Sequence, residues 1–288
     1  MFKVLSPCKI NLFLNITGKR ADGFHNLQSL FCMLNHGDEM TFEVDNDGRG
    51  EITLVNTMGM KPEENLIYRA VRALQEHSGR RFSATVDVKK VLPMGGGLGG
   101  GSSNAATTLL VVNHLAKLNI DNQTLQNIGA ALGSDVPFFV GGHHAYVEGR
   151  GEYLRPLELD ERWYLVVTPD CHVSTREIFT DPGLKEHFSP ERTFEDAMDC
   201  MYNNDCECTV RKKFSEVGLT LDYLVKYGRA AMSGTGASCY VAFDTREEAL
   251  KAHEDLCKVW DQDFSFQAFV TESINVSPVT TALINCQA

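Results

Sequence analysis

At 288 residues, 43% of them hydrophobic, the chain has enough material for one large domain or two small ones with independent cores. Its formal net charge of −11 argues against a nucleic-acid binder that works by bulk attraction to phosphate, although a local site can still hold a small anion. Met1 to Pro7 lack the apolar core of a signal peptide, no run approaches a membrane span, and nine scattered cysteines fit reduced thiols. The expectation is a cytoplasmic protein, a monomer or weak homodimer, with neither nucleic acid nor membrane as partner.

Cys8 to Ile16 largely alternates, with Ile10, Leu12, Leu14 and Ile16 on one face and Lys9, Asn11 and Asn15 on the other. This pattern predicts a half-buried strand from which Lys9 and Asn11 project together. Ala21-Asp22-Gly23 is a turn before a second strand over Phe24 to Leu34. Asp38 leads into Met40–Val44, and Asn46-Asp47-Gly48 turns into Glu51–Val55, so the opening is predicted to be an antiparallel meander. Asn65, or the acids before it, caps a helix through Leu66, Ile67, Ala70, Val71 and Leu74 that ends near Gly79. Ala84, Val86 and Val88 alternate as a strand. After a glycine-rich run, Ala105, Leu109, Val112 and Ala116 share one helical face, with Ala106 and Leu110 alongside. A further helix runs from Asp121 to Gly133, and Asp135 then stands in an otherwise apolar segment, Ser134 to Val140.

From about Glu152 the texture changes. Trp163–Val167 is predicted as a strand, Ser174–Phe179 as a short helix before Asp181-Pro182-Gly183, and Phe194–Lys226 as mostly helical. Ala231–Ala237 is a second small-residue loop, followed by a strand at Cys239–Phe243, a helix over Glu247–Trp260 and a last strand at Phe266–Val270. Strands do not alternate regularly with helices, which favours α+β over a doubly wound sheet, divided into residues 1–151 and 152–288. Neither Cys200, Cys206 and Cys208, which lack a C-x-x-C pair, nor His143-His144, which point to opposite faces of a strand-like segment, makes a convincing metal site. No metal ligand is assigned.

The stretch Pro93-Met94-Gly95-Gly96-Gly97-Leu98-Gly99-Gly100-Gly101-Ser102-Ser103 is the strongest local signal. Glycine permits positive φ and close approach of backbone to ligand, and a helix start adds unpaired N–H groups and partial positive charge. Flexible glycines, hydroxyls and a helix N-terminus in sequence make an anion site suited to nucleotide phosphates. The P-loop pattern fails because Gly101 stands where its lysine belongs. A G-x-G-x-x-G match through Gly95, Gly97 and Gly100 lacks the flanking strand and the second-strand acid, because Asp121 opens a helix.

Three motifs therefore stand in order: Lys9-x-Asn11 on an early strand, the loop from Gly95 to Ser103, and Ser233-Gly234-Thr235-Gly236. Together with Arg20-Ala21-Asp22-Gly23-Phe24-His25 and Ser134-Asp135-Val136-Pro137, they make the chain similar to the GHMP kinase superfamily, named for galactokinase, homoserine, mevalonate and phosphomevalonate kinases. Within that group it most resembles the members that phosphorylate the 2-hydroxyl of diphosphocytidyl methylerythritol. The resemblance implies a two-domain α+β fold with the active site in the interdomain cleft, and ATP-dependent phosphoryl transfer. It implies Lys9 and Asp135 as the catalytic pair, the glycine loop around the ATP phosphates, and Asn65-Leu66 near the adenine. It places the substrate against Asn11, Phe24, His25, Asp135, Thr175, Phe179, Gly234, Thr235 and Gly236, with Phe24 and Phe179 flanking the base.

The family often has tyrosine where Phe24 stands, so stacking survives but any hydrogen bond from a phenol is lost. Mg²⁺ is expected because ATP carries it, with Ser102 or Ser103 as candidate oxygen ligands and no coordination assigned. Alternative readings are another kinase of the group, acting on mevalonate, homoserine or a sugar, and a catalytically silent nucleotide-binding regulator. The regulator would have no use for Lys9 and Asp135 together.

Overall fold

The computed structural model describes residues 1–57, 59–260 and 264–286. Two lobes share a central hairpin. Strand β1 (Phe2–Lys19) pairs antiparallel with β2 (His25–Asp45), the two expected strands Phe24–Leu34 and Met40–Val44 being one continuous element. The first sheet has the order β3-β4-β2-β5-β6, with β1 on the remaining side of β2, where β3 is Ile52–Leu54, β4 Ser83–Lys89, β5 Ala145–Gly149 and β6 Tyr153–Pro156. The expected meander is therefore corrected: β3 does not pair with β2 but runs parallel to β4, which lies between them. Parallel pairing of β3 and β4 needs a crossover connection, and helix α1 (Leu66–Ser78) supplies it, leaving β4 beside β2 and β3 at the outer edge.

Helix α1 begins where Asn65 Oδ1 accepts the Ile67 N–H at 2.9 Å and ends at Gly79 with φ +64°. Helix α2 (Gly100–Leu115) is buried over most of its length, which accounts for its small apolar residues. Helices α3 (Asn122–Leu132), capped by Asp121, and α4 (Val136–Gly141) complete the layer over the first sheet. The division expected at 151/152 falls between β5 and β6. The first sheet continues to Pro156 because β6 pairs antiparallel with β5.

The second lobe has a four-stranded sheet of order β10-β7-β9-β8, with β7 Trp163–Pro169, β8 Ala231–Met232, β9 Cys239–Phe243 and β10 Phe266–Glu272. Its helices are α5 (Thr175–Phe179), α6 (Phe194–Met198), α7 (Glu207–Lys213), α8 (Ser215–Leu224) and α9 (Arg246–Trp260). A final helix, α10 (Pro278–Asn285), was not expected. Ser277 caps it, Pro278 opens it, and Val279 joins the core of the first lobe.

The half-buried reading of β1 is also corrected. Residues Cys8 to Asn15 are buried on both faces. Cys8, Ile10 and Leu12 pack with Tyr164, Val166 and Tyr240 of the second sheet, whereas the opposite face of β2, at Phe31 and Met33, packs with the helical layer of the first lobe. The hairpin is thus the middle of a layered stack, and its polar positions can be filled only where partners or a cleft receive them.

A polar side chain packed against the hairpin is His144, wholly buried, whose Nδ1 accepts the N–H of Met33 in β2 at 2.9 Å. Burial, with a smaller contribution from the neighbouring His143, pulls its pKa down from 6.5 to about 4. The unfolded chain therefore takes up this proton near pH 6.5 while the folded chain refuses it until about pH 4, so stability falls as pH drops through that window. Urea unfolding at neutral pH and near pH 4.5 is expected to show a loss of roughly 2–3 kcal/mol in the wild type that a His144→Asn variant does not share. Equal losses in both proteins would assign the acid lability elsewhere.

Candidate active site

A cavity of about 1150 Å³ lies between the lobes. Its floor is β1. Lys9 Nζ donates to Asn11 Oδ1 at 2.7 Å, stands 3.6 Å from Asp135 Oδ2, and lies 4.6 Å from the centroid of the Phe31 ring. Lys9 is 4% exposed, so its ammonium depends on these partners rather than on water. Asp135 occupies the N-cap position of α4, yet its carboxylate caps nothing there and stays partly open to the cleft. The pair meets because β1 carries Lys9 on its polar side and α3 and α4 pack together over the same sheet.

Asn11 is fixed from several directions. Its Nδ2 donates to Ser29 Oγ at 2.9 Å, and its backbone N–H donates to Ser233 Oγ at 3.2 Å. Ser233 Oγ in turn donates to the Gly97 carbonyl at 2.9 Å. One hydroxyl from the second lobe thus ties β1 to the glycine loop. Asn204 Nδ2 holds the carbonyls of Met232 and Gly234, both at 2.8 Å, which sets the shape of the second small-residue loop.

The glycine loop is itself anchored. Asp38, completely buried, accepts the N–H groups of Val91 at 2.9 Å and Leu92 at 3.0 Å and is ion-paired with Lys90. Lys9 N–H donates to the Leu98 carbonyl at 3.0 Å, and Ser238 N–H to the Gly96 carbonyl at 3.1 Å. Gly97 and Gly99 adopt φ of +76° and +71°. A Cβ on Gly97 would fall 2.4 Å from the Ser233 carbonyl oxygen, and one on Gly99 would fall 2.9 Å from the Phe139 ring. These two positions need glycine for both conformation and space.

Of the expected residues, Lys9, Asn11, Phe24, His25, Asn65, Leu66, Pro93 to Ser102, Asp135, Thr175, Phe179, Gly234 and Thr235 all line the cleft. Ser103 does not. Its hydroxyl is wholly buried and bonded to Ser6 Oγ at 2.8 Å, because adjacent helical residues face different directions. Ser102, half-buried, is left as the hydroxyl of the pair that borders the cleft. Gly236 is also absent from the cleft wall and packs instead over Met232, Val173 and Val210. Its neighbour Thr235 reaches the cavity, its Oγ1 3.0 Å from Thr175 Oγ1.

At one end of the cleft, Phe24 is exposed beneath the Arg150 guanidinium, which lies 4.9 Å from its centroid. His25 is stacked on Phe179 at 5.3 Å and meets Phe188 edge-on. Burial, with Lys19 nearby, lowers the proton affinity of His25 below that of a free imidazole. Its ring is therefore neutral at pH 7. Sequence reasoning passed over Ser6, Ser29, Asp38, Lys90, Arg150 and Arg176. Only the Gly149-Arg150-Gly151 turn carried a local signal; Ser6, Ser29, Asp38 and Lys90 act through partners distant in the chain, and Arg176 is marked only by its place in the cleft wall.

Residues 65–143 match the GHMP kinases N terminal domain, and residues 185–262 match the GHMP kinases C terminal domain. The chain belongs to the GHMP kinase family and is an ATP-dependent small-molecule kinase. Among solved structures it is similar to a 4-(cytidine 5′-diphospho)-2C-methyl-D-erythritol kinase, at 29% identity over 94% of this chain and 99% of that one, with a TM-score of 0.81. It shares the fold of homoserine kinase from Cytophaga hutchinsonii, at 15% identity over 96% of each chain and a TM-score of 0.70. It also shares that of mevalonate kinase from Methanococcus jannaschii, at 14% identity over 95% and 98% and a TM-score of 0.66. Among the described residues no helix is long and apolar enough to cross a membrane.

Gly99→Ala is expected to destabilise the protein by at least about 2 kcal/mol, from left-handed strain and overpacking together, and to raise the KM for ATP. Chemical denaturation alongside ATP titration checks this. Stability within about 0.5 kcal/mol of wild type would contradict the packing described for the loop.

Proposed function

We infer that the protein transfers the γ-phosphoryl group of ATP to the 2-hydroxyl of 4-diphosphocytidyl-2-C-methyl-D-erythritol. The observation that carries this reading is the meeting of Lys9 and Asp135 in a cleft whose far end holds Phe24, His25 and Phe179. The 29% identity to a kinase named for that substrate, extending over nearly the whole chain, supports the same choice.

At the ATP end, main-chain N–H groups of the glycine loop and the start of α2 receive the phosphates, a preorganised electrostatic contribution that needs no rearrangement during reaction. Asn65 Nδ2 is buried without a hydrogen-bond partner among the described residues, leaving a donor for the adenine beside Leu66. Ser102, whose hydroxyl borders the cleft, would hold Mg²⁺ together with phosphate oxygens. The ion supplies charge neutralisation on the transferred group.

Asp135 receives the proton of the substrate hydroxyl as the bond to phosphorus forms, and releases it to solvent after the product leaves. Lys9, 3.6 Å from that carboxylate, orients it and presents positive charge to the moving phosphoryl oxygens. Asn11 keeps the ammonium from swinging away. The cytosine ring is received by the aromatic end of the cleft, where neutral His25 can both donate and accept.

Incubation with ATP, Mg²⁺ and the diphosphocytidyl alcohol, read by mass, is expected to yield one added phosphoryl group; no addition refutes the assignment. Asp135→Asn is expected to slow turnover by at least about 10²-fold with little change in KM, and near-normal turnover would exclude the base role. Phe179→Ala is expected to raise the substrate KM more than it lowers kcat, since stacking on a base is worth roughly 1–3 kcal/mol. An unchanged KM would remove Phe179 from the base site.

A further inference from the structure

Four cationic side chains line the cleft: Lys9, Lys90, Arg150 and Arg176. Three are matched by carboxylates. Lys9 stands 3.6 Å from Asp135, Lys90 is paired with buried Asp38, and Arg150 is 3.8 Å from Glu152 with its guanidinium over Phe24. Arg176 differs. Among the described residues its guanidinium has neither an ion-pair nor a hydrogen-bond partner. It projects from α5, between Thr175, which meets Thr235 at 3.0 Å, and Phe179, which stacks on His25. The element that carries the expected nucleoside contacts therefore also carries an uncommitted positive charge.

The protein carries a net charge of −11, and its overall field repels an anion. At the ATP end, the repulsion is answered by glycine-loop amides and the start of the 16-residue α2. Among the described residues, the helix that starts at the opposite end, α5, is only five residues long. A phosphate arriving there would have to break the Arg150–Glu152 pair or use Arg176, which is free at no such cost. A guanidinium also matches two phosphate oxygens at once, which an ammonium cannot do.

We propose that Arg176 is the residue by which this enzyme distinguishes a nucleoside diphosphate from the uncharged nucleoside, by pairing with the phosphate oxygens of the bound cytidine diphosphate moiety. Arg150 has a different part: committed to Glu152 and Phe24, it supports the aromatic platform and does not read the charge. This assignment rests on the substrate reading above and adds to it a specificity residue on the second lobe.

The test is calorimetric binding of cytidine, CMP and CDP to the wild type and to Arg176→Ala, Arg176→Lys and Arg150→Ala, at low and high salt. The wild type is expected to bind CDP more tightly than cytidine, with the preference shrinking as salt rises. Arg176→Ala is expected to weaken CDP about tenfold or more and cytidine less than about twofold, with Arg176→Lys recovering part of the loss. Arg150→Ala is expected to weaken all three ligands alike. A selective loss of CDP in Arg150→Ala, or equal losses of cytidine and CDP in Arg176→Ala, overturns the assignment. A wild type that binds cytidine and CDP equally also overturns it while leaving the substrate reading intact, whereas a wild type that binds none of the three refutes both.

Discussion

An ammonium with almost no access to water has to be held by its surroundings, and around Lys9 the surroundings are the candidate site. Asn11 Oδ1, the Asp135 carboxylate and the face of Phe31 are its compensation. Removing any one leaves a costly charge between the lobes. The same arrangement aims the carboxylate into the cleft and brings the Leu98 carbonyl against the Lys9 backbone. Satisfying one buried cation thus fixes the relation of strand, loop and short helix.

The lobes are joined through this region rather than around it. Ser233 contributes a hydroxyl that touches both the Asn11 N–H and the Gly97 carbonyl, while Ser238 N–H meets Gly96. The loop proposed to receive phosphate is therefore braced from behind by the lobe proposed to receive substrate. Its inner carbonyls are occupied, leaving the opposite side of the main chain for a ligand. Preorganisation of this kind favours electrostatic stabilisation of a spread, loosely bonded phosphoryl group.

What was legible in the sequence is what short-range chemistry decides. Asn65 and Gly79 bracket α1, and Asp121 caps α3, because capping is settled by residues within a turn. The joint projection of Lys9 and Asn11 follows from strand period alone. The rest depends on distant partners. The double burial of β1 comes from Tyr164, Val166 and Tyr240, far along the chain, and cannot be seen in its own alternation. The place of β3 outside β4 is decided by an intervening helix. Ser102 and Ser103 look alike as letters, and only Ser6 opposite determines which hydroxyl is consumed.

If Lys9 and Asp135 act as one unit, neither should retain its value without the other. A double-mutant cycle on kcat with Lys9→Ala, Asp135→Ala and both together measures this directly. The account predicts that the double variant is scarcely slower than the worse single variant. Losses that multiply, as for two independent residues, would contradict it.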